Sequence, residues 1–267
     1  MIAAPDSPYL QRILAPNPGP MTLEGTNTWI LGDPRLGAAV VVDPGPPIPS
    51  HVAAIIAACP AGISGIVVTH RHLDHSAGAA ALGRRAGCGV RAADPEFAVG
   101  AAGLEDGAVL GVPGGSVEVL ATPGHTSDSC SLLVTGDDGV ARLLSGDMVL
   151  GRGTTVITHP DGNLAAYFRS LERLQQLIGE RGVVEILPGH GPVVTDPAGW
   201  LAYYREHRLE RLEQVRAALA AGARTPGDIV AQVYADVDRS VWPAAEQSVR
   251  AQLDYLEDSG SSDGAHS

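Results

Sequence analysis

The chain of 267 residues contains no lysine, so all 18 of its basic side chains are arginine. That excludes any lysine-based mechanism. The abundance of Ala, Gly and Pro points to codon bias as the cause. Cysteine is scarce as well. Cys59, Cys88 and Cys130 are odd in number, far apart and form no CxxC pair. They predict free thiols in a reducing compartment, not a disulfide framework. Positive charge is in deficit: 30 acidic against 18 basic residues give a net charge of −12. That argues against a broad electrostatic grip on nucleic acid. No apolar run is long enough to cross a bilayer, and the N-terminus lacks a basic flank followed by an apolar stretch. The expectation is a cytoplasmic protein with no membrane partner.

What is present reads as α/β. Residues 26–31, 40–42, 63–68, 117–121, 131–134, 141–144 and 183–187 are short apolar, β-branched runs with Gly/Pro punctuation, and predict strands. Residues 51–58, with Ser50 as cap, 76–86 and 164–178 predict helices. Cys130 falls at a strand and reads as a small buried hydrophobe. After Pro197 the chain turns helical and amphipathic. One long helix ends near Gly222. A second starts at Thr225-Pro226-Gly227-Asp228, where Thr caps, Pro takes the first position and Asp closes the box. A third runs from Ser240/Pro243 to about Glu257. The expected organisation is a catalytic domain over 1–197, a small helical, winged-helix-like domain over 198–258 and a disordered tail over 259–267.

The most informative stretch is Thr69-His70-Arg71-His72-Leu73-Asp74-His75. It places three imidazoles and a carboxylate where the strand at 63–68 gives way to a loop, the position at which α/β folds present ligands. Imidazole nitrogen and carboxylate oxygen suit zinc and its borderline neighbours. A single histidine there would more often be a satisfied core residue. Four such groups would be a costly way to fill a core, since each needs a partner. Three further strand ends carry one potential ligand each, in a Gly-containing turn: Pro123-Gly124-His125, Gly146-Asp147 and Gly189-His190. His70, His72, Asp74, His75, His125 and His190 are six terminal ligands, enough for two metals, and Asp147 is a seventh that can bridge. Two ions about 3.5–4 Å apart can clamp attacking and leaving oxygens together. His51, His207 and His266 receive no chemistry. His159 is a weak candidate for a substrate contact.

These residues resemble the metallo-β-lactamase superfamily. Its HxHxDH motif matches His70, His72, Asp74 and His75, and its later ligands match His125, Asp147 and His190 in order and spacing. The resemblance covers about residues 10–197. It implies an αββα sandwich of two facing sheets with helices outside. It also implies two Zn²⁺ per chain, with iron or manganese as alternatives. His70, His72 and His125 would hold one ion, Asp74, His75 and His190 the other, and Asp147 would bridge. Within the superfamily, Asn17-Pro18-Gly19-Pro20-Met21-Thr22, Gly25-Thr26-Asn27-Thr28 and Gly151-Arg152-Gly153-Thr154-Thr155-Val156 resemble the β-lactamase-like protein 2 branch. So does the C-terminal appendage opened by Tyr204, His207 and Arg208. Branch members include endoribonucleases on single-stranded RNA and thioesterases of polyketide synthesis.

The implied chemistry is hydrolysis by a metal-bridging hydroxide, with Asp74 and Asp147 as catalytic residues. The favoured substrate is a small ester, thioester or lactone. The alternative is single-stranded RNA. Between 198 and 267 the appendage carries 7 arginines against 11 acidic residues, a poor composition for reading nucleic acid. A structural zinc module fits less well, because such sites are closed cages dominated by cysteine. A flavodiiron-type oxygen reductase would need a Glu in the ligand motif and a flavin domain, and neither is seen. A homodimer is left open.

Overall fold

Runs such as Val40-Val41-Val42 and Leu132-Leu133-Val134 are buried on both faces of their strands. Each sheet built from them must therefore be covered twice. In the computed structural model, which describes residues 9–263, two five-stranded sheets meet this demand by packing on each other and on helices. The first sheet runs in the order β1 (Leu10–Leu14), β2 (Asn27–Leu31), β3 (Ala39–Val42), β4 (Ile63–Val67), β5 (Val90–Arg91). The second holds β6 (Val109–Val112), β7 (Gly115–Ala121), β8 (Cys130–Gly136), β9 (Ala141–Gly146) and β10 (Glu185–Pro188), with β10 at one edge beside β9. The pairs β3–β4, β4–β5 and β9–β10 are parallel and the others antiparallel.

Side-chain alternation assigns the layers. Trp29, Leu31, Val42 and Val67 meet Val117, Leu132, Val134 and Leu144 between the sheets. Ile30, Val41 and Ile66 point the other way, onto Ile55 of α1 (Pro49–Ala58) and Leu82 of α3 (Ala79–Ala86). Leu133, Leu143 and Ile186 pack on Tyr167, Leu171 and Leu174 of α4 (Leu164–Arg181) and on Leu201 and Tyr204 of α5 (Pro197–Ala220). Burying each such side chain is worth about 1.5–3 kcal/mol. The architecture is the expected αββα sandwich.

The C-terminal helices are α5, α6 (Pro226–Val233) and α7 (Trp242–Asp263), with a 3-10 turn at Arg239–Val241. Val215, Ile229, Val230 and Val249 form a smaller core among them. Thr225 and Asp228 make the expected reciprocal cap. Because α5 contributes to both cores, the appendage is packed on the sandwich and not tethered to it. No helix among the described residues is long and apolar enough to cross a membrane.

Several local expectations change. α1 is capped at Ile48 without a side-chain bond, and Ser50 lies inside its first turn, because the fixed φ of Pro49 already suits the first helical position. The helix expected over 76–86 starts later, as α3, and a separate turn, α2 (Leu73–Ser76), precedes it. They part at Gly78, whose N–H donates to Gly45 O at 2.9 Å and where a Cβ would stand 2.8 Å from that oxygen. α7 continues to Asp263, so residues 259–263 of the expected tail are helical. Ser259 Oγ donates to Tyr255 O at 2.7 Å there. Residues 264–267, with His266, lie outside the described residues. All three cysteines are free, and Cys130 is buried in β8.

Candidate metal centre

The end of β4 is pinned before the histidine motif leaves it. Thr69 N and Thr69 Oγ1 donate to the two carboxylate oxygens of Asp43, both at 2.8 Å. His70 lies in the bend that follows, and His72 precedes the next turn with φ −57° and ψ 138°. The single turn α2 carries Asp74 and His75, so these two sit on a helix and not in the loop expected from sequence. His125 follows β7 through Gly124, where φ is +149° and a Cβ would lie 2.4 Å from the Tyr167 backbone. Asp147 follows β9 and His190 follows β10. At Gly189 a Cβ would meet Asp147 Oδ1 at 2.5 Å, so the cluster itself requires glycine there.

All seven residues singled out in the sequence converge. His72 Nδ1 lies 3.0 Å from both His70 Nε2 and His125 Nε2. His75 Nε2 lies 3.1 Å from His190 Nε2 and 3.5 Å from Asp74 Oδ2, and Asp74 Oδ2 is 3.1 Å from His190 Nε2. Asp147 stands between the trios, 3.4 Å from His75 and His190 and 3.9 Å from His125. His70, His75 and Asp147 form a third grouping that joins the two. Donors at about 2.1 Å from one tetrahedral ion stand about 3.4 Å apart, close to these spacings. Asp147 Oδ1 is buried and makes no hydrogen bond. A buried carboxylate oxygen left this way costs about 1–3 kcal/mol or more, which a cation would recover. The donor set fits two divalent ions.

The rings are held from behind, and sequence reasoning misses most of what holds them. His75 Nδ1 donates to Asp43 Oδ2 at 2.9 Å, His125 Nδ1 to Val156 O at 2.6 Å, and His190 Nδ1 to Gly25 O at 3.2 Å. Such partners fix the tautomer and aim the other nitrogen. Asn27 Nδ2 adds bonds of 2.9 Å to Pro188 O and Gly191 O, clamping the turn that carries His190. The Gly25–Thr28 and Gly151–Val156 segments therefore contribute backbone carbonyls and clamps. Arg71 ties the motif to neighbouring loops through Asp94, Asp128 and Asp161 at 3.2–3.3 Å.

Electrostatics divide the histidines. Burial holds His70 well below the ordinary imidazole value, lowers His72 and takes His125 down to about 4. Burial also opposes charge on His75 and His190, but carboxylates outweigh it. Asp147 and Asp43 hold His75 well above its ordinary value, and Asp147 with Asp74 raises His190 to about 9.

Over the cluster lies a cavity of about 400 Å³. Its floor includes His72, Asp74, His125 and Asp147, and its walls include Met21, Leu23 and Leu150, with Ala244 and Gln247 supplied by α7. His159 is not part of this wall and pairs with Asp254 of α7 at 3.2 Å. His51 is buried against Thr28, Nε2 to Oγ1 2.9 Å, within the fold.

The profile of the Metallo-beta-lactamase superfamily matches residues 21–206, and that of the Beta-lactamase associated winged helix domain matches residues 225–261. The chain belongs to the metallo-beta-lactamase superfamily. A Beta-lactamase-like protein 2 homolog of Caenorhabditis elegans is 34% identical over 263 residues, covering 94% of this chain and 84% of that protein. An atrochrysone carboxyl ACP thioesterase of Aspergillus chevalieri is 31% identical over 249 residues, covering 88% and 76%. The crystal structure of a metallo-beta-lactamase family protein from Thermus thermophilus superposes with a TM-score of 0.78 at 21% identity, covering 95% of each chain; that likeness speaks for the fold. As a superfamily member the chain is a metal-dependent hydrolase, and its C-terminal helices correspond to the winged helix domain.

For this metallo-beta-lactamase centre the two histidine classes predict a pH effect. In the metal-free protein the carboxylates hold a proton on the His75–His190 pair, whose Nε2 atoms face each other at 3.1 Å and share it, whereas burial keeps His70, His72 and His125 neutral. Metal must displace that proton, so zinc loading at pH 7 should release about one proton per chain. Lowering the pH below about 9, where His190 titrates, favours the protonated form. It should weaken loading at the Asp74–His75–His190 trio before the other. Zinc titration in weak buffer with an indicator dye reads the release. Loading without proton release would refute this division.

Proposed function

We propose that the chain is a dinuclear zinc hydrolase acting on a small-molecule thioester, ester or lactone. In this reading His70, His72 and His125 would hold one ion, Asp74, His75 and His190 the other, and Asp147 would serve both. The observation that carries it is Asp147: one carboxylate within 3.4 Å of a ring nitrogen in one trio and 3.9 Å of one in the other, with a buried oxygen free of hydrogen bonds. When bound, two such ions supply an acidified water and positive charge for the substrate oxygen; iron or manganese suits the same donors. Asp74, on the cavity floor, would accept a hydrogen bond from the attacking water and orient it. Met21, Leu23 and Leu150 offer an apolar wall to an acyl chain. The thioesterase relative favours a thioester among the three bonds. The catalytic unit is taken as 1–197 and the appendage as 198–258, with Ala244 and Gln247 reaching the cavity from the latter.

The test is the zinc-loaded full chain against thioesters, lactones, phosphodiesters and single-stranded RNA. Thioester turnover should exceed phosphodiester turnover by about a hundredfold in kcat/KM, roughly 2.7 kcal/mol of barrier. Cleavage of RNA alone would replace this reading with an endoribonuclease.

A further inference from the structure

A second chamber of about 240 Å³ opens beside the cavity over the metal ligands, toward the C-terminal helices. The two share Thr154, Thr155 and Val156 as a common wall. Three residues of one α5 face line the new chamber: His207, Arg208 and Arg211. Their spacing of three and four residues puts them side by side on the helix. No acidic side chain lines it.

That is unusual in a chain with 30 acidic and 18 basic residues. Elsewhere Arg71 reaches three carboxylates and Arg142 pairs with Glu185 at 2.8 Å. Arg208 is only 2% exposed, yet it donates to the Thr155 carbonyl beside the Tyr167 ring, and its Nε is buried with no hydrogen-bond partner. Arg211 donates to Val233 O at 2.9 Å and Gln214 Oε1 at 2.8 Å and lies 4.5 Å over the Tyr234 ring. Neither arginine pairs with a carboxylate among the described residues. His207 Nδ1 is likewise buried without a partner. Burial, and after it the two arginines, push His207 down to about 4, so this ring stays neutral and can donate one N–H.

Adjacent guanidinium groups repel, and a desolvated guanidinium with a free donor is costly unless an anion meets it. We propose that the chamber is an anion subsite: Arg208, Arg211 and His207 receive a carboxylate or phosphate carried by the substrate at the end remote from the bond cut. The location suits this role. Thr155 Oγ1 lies 3.1 Å from His125 Nδ1 while Thr155 O takes the Arg208 bond, so one residue separates the reaction centre from the anion grip. The identity of the bond cut rests on the hydrolase reading above; the anion grip does not.

The experiment has two parts, both on zinc-loaded full-length protein. The first compares hexanoyl, glutaryl and 4-phosphonobutyryl thioesters of N-acetylcysteamine. One of the charged pair should exceed the hexanoyl compound by roughly tenfold or more in kcat/KM, through KM. Whichever gains shows whether the site takes carboxylate or phosphate. In Arg211→Gln the ratio of charged to neutral substrate should fall toward one. Equal kcat/KM on all three, or a ratio unchanged in Arg211→Gln, would overturn the proposal. The second part is calorimetric titration with glutarate and with inorganic phosphate, which needs no turnover. Binding that survives Asp147→Ala but is lost in Arg211→Gln supports the subsite. Absence of binding by both anions, or binding that survives Arg211→Gln, overturns it. Failure of every thioester to react with anion binding intact would sink the thioesterase reading and leave the subsite standing.

Discussion

Asp147→Ala is expected to lower kcat/KM by about a hundredfold or more, roughly 2.7 kcal/mol of barrier, and to reduce bound zinc from two ions per chain toward one. The side chain touches both trios, and its oxygens are the only carboxylate oxygens within 4 Å of ring nitrogens in both among the described residues. The fold should persist, because Asp147 follows β9 in a turn and contributes nothing to the apolar layers. The variant should also shift the pH dependence of loading. Asp147 is a principal cause of the raised His75 and His190 values. Without it the His75–His190 pair loses its proton at lower pH. Kinetics, elemental analysis and circular dichroism together check this. A loss below tenfold with two ions retained would take the bridging role away from Asp147.

The second large effect is expected away from the ligands, at Asp43. Replacing it by Ala removes the acceptor of Thr69 N, Thr69 Oγ1 and His75 Nδ1 at once, in a site where Asp43 is 1% exposed. Breaking such a buried, charge-assisted set costs about 3–5 kcal/mol. That lowers Tm by roughly 6–20 °C for a chain of this size. Zinc affinity should fall by roughly 10- to 100-fold, since His75 loses the partner that aims it. The backbone adds to the effect: Asp43 sits at φ +50°, a region Asn and Asp tolerate and Ala does not. Asp43→Asn should therefore recover much of the Tm while zinc affinity stays low. An Ala variant with unchanged Tm and zinc affinity would show that Asp43 neither supports nor aims anything.

Asp43 also shows where sequence legibility stops. The ligands are readable because four share one motif after an apolar strand and three end apolar strands in glycine-containing turns, which is local information. Asp43 meets Thr69 and His75 from 26 and 32 residues away, and an aspartate after three valines reads as an ordinary strand terminus. The carbonyls of Gly25 and Val156 are still less visible, since a backbone oxygen leaves no residue-type signature. Among the strands, β1, β5 and β6 escape a reading by pattern. β1 carries Gln11 and Arg12 at a sheet edge, β5 is two residues long, and β6 is interrupted by Gly111. Arg208 reads as part of the polar face that opens the appendage. It is buried because α5 lies against α4, with its guanidinium 5.1 Å from the Tyr167 ring. Amphipathic patterns show which residues prefer water, and a functional group buried against that preference is what they miss.

The donors come from two sheets. His70, His72, Asp74 and His75 extend from β4 of one, while His125, Asp147 and His190 extend from β7, β9 and β10 of the other. In the proposed reading each ion is a rivet through the seam of the sandwich, since neither trio is complete without both halves or the bridge between them. Whatever binds the folded chain and not the unfolded one adds its binding free energy to the stability of the fold. Losing metal would then unclasp the sandwich at the end where substrate enters, and metal supply would govern how long the protein survives as well as how fast it works.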